Sequence, residues 1–286
     1  MPKLDVLIIH GPRHHGWPEQ HQALDNILNA TGRFNVELSP SPALDASTVE
    51  WEAWRPRFSD FDAVFQLSEG RYWSDMLQAD FEAYVYEGGG AIVLHSSLAA
   101  FEDWEGYQKI VGISHPWRAW ARISRGTRIT INDDTGEVVR TPPAHGIGPG
   151  HGKMHVFPVK SRQPTHPIMS GLPETWLHGE DELWHVMRGP AEDIEILASA
   201  YSDPDQRGTG EHEPLLWTVN HGKGRVFVSV LGHGQEAIHC VGHQTLLARG
   251  VEWVASGDVT IGVPRDFPKD KTTSVVMPED VIWSSE

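Results

Sequence analysis

Three apolar runs in this chain end in or near histidine. Ala91–Leu94 stops at His95-Ser96-Ser97 behind three glycines, Asp5–Ile9 stops at His10-Gly11, and Val226–Leu231 stops at Gly232-His233-Gly234. Imidazole is the commonest metal ligand and titrates close to neutral pH, so a cluster of such side chains can bind a cation or move protons. A carboxylate to join them is offered by Trp176-Leu177-His178-Gly179-Glu180-Asp181-Glu182-Leu183-Trp184-His185. Consecutive acids are usually solvated, but tryptophan and leucine on either side predict a partly buried Asp181 or Glu182. Further histidines lie in glycine-rich loops, at His14 and His15 after the first run and at His145, His151 and His155 later on.

Such residues meet only if strands deliver them to one rim. Buried parallel strands read as short apolar runs, and in open α/β sheets the functional groups gather at their carboxyl ends. Asp5–Ile9 is therefore read as the first strand, a helix through Ala23, Leu24, Ile27 and Leu28 follows, and Phe34–Leu38 is the second strand. The loop between strand and helix lacks a G-x-G-x-x-G pattern, so no nucleotide is expected, yet Arg13, His14 and Trp17 stand where ligand groups would be presented. Asp62–Leu67 is a third strand. Ser74 caps a helix whose residues Met76, Leu77, Phe81, Tyr84 and Val85 are expected to face the sheet. Further strands are read at Arg128–Asn132, Lys153–Val159 and Ile194–Ala200, with a hairpin from Pro214–Val219 and Arg225–Leu231. One helix from Cys240 to Ala255 closes the pattern and sets His239 and His243 one turn apart, a spacing that can hold a metal. Residues 1–257 are read as a single α/β domain and 258–286 as an extended tail.

Composition narrows the function classes. Of 286 residues, 39% are hydrophobic and 22% charged, and the formal net charge is −16. That charge argues against nucleic acid or an anionic membrane surface as partner. No segment approaches the roughly 18 apolar residues of a membrane span, and the first strand begins almost at Met1, so a cytoplasmic location is expected. A single cysteine, Cys240, excludes an intrachain disulfide and a cysteine-rich zinc site. The 12 tryptophans include Trp17, Trp104 and Trp184, which could stack on a sugar ring.

Read together, Leu94-His95-Ser96, His166-Pro167-Ile168, Asp181-Glu182 and Gly232-His233 resemble the trehalose-utilisation (ThuA-like) family over roughly residues 4 to 265. The resemblance implies a flavodoxin-like, mostly parallel sheet with helices on both faces, related to class I glutamine amidotransferases, and a role in processing sugars or oxidised sugar derivatives. In the amidotransferases the strand matching Ala91–Leu94 delivers a cysteine nucleophile. This chain carries His95-Ser96 there, and Cys240 lies beyond the later histidine strand, so a cysteine glutaminase is not expected.

Two mechanisms fit these residues. In one, His95, Glu182 and His233 bind a divalent metal such as zinc, manganese or iron, helped by His14 or His151, and acidify a carbon–hydrogen bond beside a sugar carbonyl. In the other the same histidines and acids, Asp181 and His151 included, act as general acid and base without a metal. Arg13, His14, Trp17, Ser96, Trp104 and His155 are the candidates for holding substrate. Both mechanisms describe an isomerase or lyase acting on a keto-sugar or glycoside derivative. The rivals are a serine- or metal-dependent hydrolase and a non-catalytic sugar-binding or assembly protein. A homodimer is compatible with the tail.

Overall fold

A computed structural model of the chain describes residues 2–11, 19–68, 73–115, 126–143 and 148–284. The elements in order are β1 (Leu4–His10), α1 (Gln20–Ala30), β2 (Phe34–Pro40), α2 (Thr48–Ala53), β3 (Ala63–Gln66), α3 (Asp75–Glu87), β4 (Gly90–Leu94) and α4 (Glu105–Val111). Then come β5 (Thr127–Ile131), β6 (Val138–Thr141), β7 (Gly150–His151), β8 (His155–Ser161), β9 (Thr175–Asp181), β10 (Trp184–His185) and β11 (Arg188–Gly189). Finally there are β12 (Ile194–Tyr201), β13 (His212–His221), β14 (Gly224–Ser229), α5 (Gln235–His239) and α6 (Val241–Ser256).

One continuous sheet runs β2-β1-β3-β4-β14-β13-β12-β8-β9. The first five strands are parallel to one another, in the doubly wound order 2-1-3-4-5. From β14 onward every pairing is antiparallel, so the sheet is mixed rather than mostly parallel. The hairpin through Gly222, which takes a left-handed φ of 62°, reverses the direction at β13. In the parallel half Val6–Ile9 and Ala91–Leu94 are fully or almost fully buried. Right-handed crossovers that step in opposite directions along the sheet place α1 and α3 on opposite faces. There α1 packs with α6, and α3 with α4.

Close approach fixes the height of β4. A Cβ on Gly90 would stand 2.7 Å from the Val254 carbonyl of α6, so only glycine lets that helix lie on the strand. Ser74 caps α3 by accepting the Leu77 N–H at 3.3 Å, and Leu77, Phe81 and Val85 form its buried face. Met76 is 57% exposed; it lies outside the apolar arc.

The last helix is two helices. At Cys240 ψ opens to 121°, ending α5 and starting α6, so His239 and His243 do not share one helical face. Beyond α6 the chain becomes a strap. Lys269 O accepts from Leu177 N on the edge strand β9 at 2.9 Å, Ser274 O accepts from Val241 N at 2.9 Å, and Val276 N donates to His239 O at 3.0 Å. Its start is pinned by the buried Glu252 carboxylate, which accepts from Thr260 N (2.7 Å), Ile261 N (3.0 Å), Thr260 Oγ1 (2.6 Å) and Arg33 Nε (2.7 Å).

Candidate functional site

The structure brings His95, Glu182 and His233 together. β4 ends at Leu94, and His95 turns out of the strand with φ 45° into a short 3-10 turn over His95–Ala99. A non-glycine residue in this left-handed region costs about 1–3 kcal/mol, and here the turn sets the imidazole at the rim. His95 Nδ1 lies 2.7 Å from Val230 O. A carbonyl only accepts, so Nδ1 carries the proton and Nε2 presents its lone pair. That Nε2 is 3.1 Å from His233 Nδ1 and 3.9 Å from Glu182 Oε2. His233 Nδ1 is 3.3 Å from the same carboxylate oxygen.

The wall behind the cluster is Trp184, whose Nε1 donates to Glu182 Oε2 at 3.3 Å and whose ring lies 4.7 Å from that of His95. Burial lowers the His95 pKa to about 4, so this imidazole is neutral at physiological pH, the form in which it can ligate. His151, opposite Trp184 in the β7–β10 ladder, stands on the open side. Its Nδ1 is 2.9 Å from Gly152 O and 3.4 Å from Glu182 Oε1.

The other candidates are placed differently. Asp181 is fully buried and does not join the ligand atoms: Oδ1 accepts from Glu182 N (2.9 Å) and His233 N (3.0 Å), and Oδ2 from Gly232 N (2.8 Å) and His178 Nε2 (2.9 Å). Ser96 is buried directly behind His95. Trp104 sits in an aromatic cluster with Phe101, Tyr107, Trp73 and Phe81 at ring separations of 5.1, 5.4, 6.0 and 6.2 Å, where its faces serve packing. His155 bonds Lys153 O through Nδ1 at 2.7 Å and leans on Phe157. His10 stacks on His21 at 4.0 Å. Arg13, His14, His15, Trp17 and His145 lie outside the described residues.

A second buried layer was not anticipated. His178, behind Asp181, feels a burial cost against its charge, yet negative charge on the Cys240 sulfur and on the Asp181 carboxylate beside it raises its pKa to about 10. Burial likewise opposes ionisation of Asp181, and the His178 imidazolium overrides it, lowering that pKa to about 2. An aspartate, a histidine and a cysteine therefore stand in a row. Cys240 is fully buried, far in the chain from the strand end that would expose a nucleophile. The i, i+3 spacing of His178 and Asp181 was the available signal, but it reads as contact only once a bulge in β9 is known. His115, whose ring lies 4.4 Å from that of Trp184, had no signal in its surroundings.

A doubly wound sheet with two imidazoles and one carboxylate converging beyond its strand ends defines an α/β protein with a candidate metal or acid–base centre. The family model for trehalose utilisation, ThuA, matches residues 5–254, and the chain belongs to this family. A ThuA-like protein from Parabacteroides merdae shares 34% identity, with 97% of this chain and 99% of that one covered, at a TM-score of 0.90. A ThuA-like protein from Bacteroides uniformis shares the fold at 17% identity and a TM-score of 0.57, with 90% and 95% covered. A cytoplasmic protein from Salmonella typhimurium does so at 14% identity and 0.51, with 88% and 99% covered. No curated protein matches. Among the described residues no helix is long and apolar enough to cross a membrane.

Proposed function

We propose that the chain is an enzyme that processes keto-sugars or oxidised glycoside derivatives, moving a proton next to a carbonyl as an isomerase or lyase does. The observation that carries this reading is the convergence of His95 Nε2, His233 Nδ1 and Glu182 Oε2 within 4.8 Å of one another. Ligand atoms sharing an ion at about 2.0–2.2 Å lie roughly 3–3.5 Å apart, so the separations of 3.1 and 3.3 Å fit and that of 3.9 Å needs a small adjustment. Two imidazoles with a carboxylate suit zinc, manganese or iron. Bound there, the metal would polarise a carbonyl or hydroxyl oxygen of the sugar and acidify the adjacent carbon–hydrogen bond.

The chain's own groups supply the rest. Burial holds His95 neutral, Val230 O orients it, and Trp184 closes the apolar side. His151, in contact with Glu182 at the mouth, is the group we assign to proton transfer. Simple glycoside hydrolysis is disfavoured because it ordinarily needs two facing carboxylates. Glu182 is the one carboxylate of the cluster among the described residues, and Asp181 is consumed by hydrogen bonds. A serine triad gains nothing from Asp181 either, since that residue meets the backbone of His233 and not its ring. The strand order β2-β1-β3-β4-β14 supports reading the parallel half as flavodoxin-like.

The test is elemental analysis of untagged protein with His95→Ala and His233→Ala variants, joined to a turnover screen on keto-sugars. Near-stoichiometric metal in the parent, lost in both variants together with turnover, is expected. Ligand binding weakened in the variants with no substrate ever turned over would instead identify a binding protein. Turnover without metal, even after reconstitution, would leave acid–base chemistry alone.

A further inference from the structure

Glu182 and His233 reach the cluster from segments about fifty residues apart, the end of β9 and the loop after β14. One side chain ties these segments together. The carboxylate of Asp181 accepts the N–H groups of Glu182, His233 and Gly232 and the Nε2–H of His178, all between 2.8 and 3.0 Å. A carboxylate has about four lone-pair sites, so four donors leave none for a metal or a substrate. Asp181 is fully buried, and so is His178 behind it. Gly232 has φ 107°, a conformation that turns its N–H and that of His233 inward to the same carboxylate.

We propose that Asp181 is the positioning residue of this centre: it fixes where Glu182 and His233 stand, with His178 holding it from behind, and it touches neither metal nor substrate. This rests on the metal reading above for its function, though not for its geometry. Partners that orient ligands in this way typically govern 10–100-fold in metal affinity. The plainer role, a carboxylate that merely stitches two loops, would show in stability and leave affinity unchanged.

The experiment is a zinc and manganese competition titration against a chelator on the parent, Asp181→Asn and His178→Gln, with a crystal structure of each metal-free variant. In Asp181→Asn an amide N–H must face an N–H of the clamp. We expect 10–100-fold weaker metal binding in a protein that still melts cooperatively, and a changed separation between His95 Nε2 and His233 Nδ1. Parental affinity and parental cluster geometry in that variant would overturn the proposal. Should Asp181→Asn fail to fold, His178→Gln decides. It leaves the three backbone contacts intact, so a several-fold loss supports the proposal and an unchanged affinity overturns it. A parent that binds neither metal refutes the metal reading separately. The proposal then stands or falls on whether the variant structures move Glu182 and His233.

Discussion

His151 differs from the three clustered residues in what surrounds it. Its side chain is 32% exposed whereas that of Glu182 is 7% exposed, and its Nδ1 is engaged by Gly152 O. Positioned acid–base groups contribute typically 10²–10⁴-fold. His151→Asn is therefore expected to lower kcat by about that factor while metal content, measured on the same preparation, stays at the parental level. Loss of metal together with activity would make His151 a ligand instead. Much of this residue set was legible in the sequence. His95 and His233 are announced by apolar runs that stop at them, and Glu182 by its apolar flanks. The work of Asp181 was not, because its partners are backbone amides contributed by a distant segment, and no side-chain pattern encodes a backbone amide. Trp104 could be read either way: an aromatic residue in a polar stretch suits a stacking surface or core packing alike until its neighbours Phe101 and Tyr107 are seen to enclose it.

At the level of elements, the parallel strands were readable because burial on both faces leaves uninterrupted apolar runs. The antiparallel half and the split between α5 and α6 were harder, since strands that pair far along the chain and a single backbone turn at Cys240 leave no periodic trace. The strap shows how such a part is held. Replacing Glu252 by alanine strips the partner from Arg33 Nε, from Thr260 Oγ1 and from two backbone N–H groups. The donors sit on exposed or half-buried residues and regain water in part, but hydrogen bonds to a charged group contribute about 1.5–3 kcal/mol each, so Glu252→Ala should melt several degrees below the parent and expose the strap to limited proteolysis near residue 260. A strap as protected as in the parent would show that its later contacts with β9 and α6 suffice.

Among the described residues, buried and half-buried histidines shape the response to mild acid. Burial lowers the pKa of His10, His95, His115 and His185 to about 4 and that of His243 to about 3. Unfolded imidazoles titrate near 6.5. Between about pH 6.5 and 4 the unfolded chain thus binds protons that the folded chain refuses, and stability falls as pH falls. His178 has the reverse sign: raised to about 10, its contribution is complete below 6.5 and is lost as pH rises through about 10. Metal-stripped protein is expected to melt at steadily lower temperature from pH 7 to 4.5, and the His178 contribution declines as pH rises from about 6.5 to about 10. A flat profile over the acid range, by calorimetry or circular dichroism, would contradict this.

The burial of Cys240 beneath the strap has a practical consequence. It is the chain's only thiol and none of its surface is accessible, so a maleimide or an aromatic disulfide reaches it only in moments when β9, the α5–α6 junction and the strap part. The molecule thus carries a single-hit recorder of its own breathing: the extent of labelling with time counts openings, with no competing sulfur to correct for.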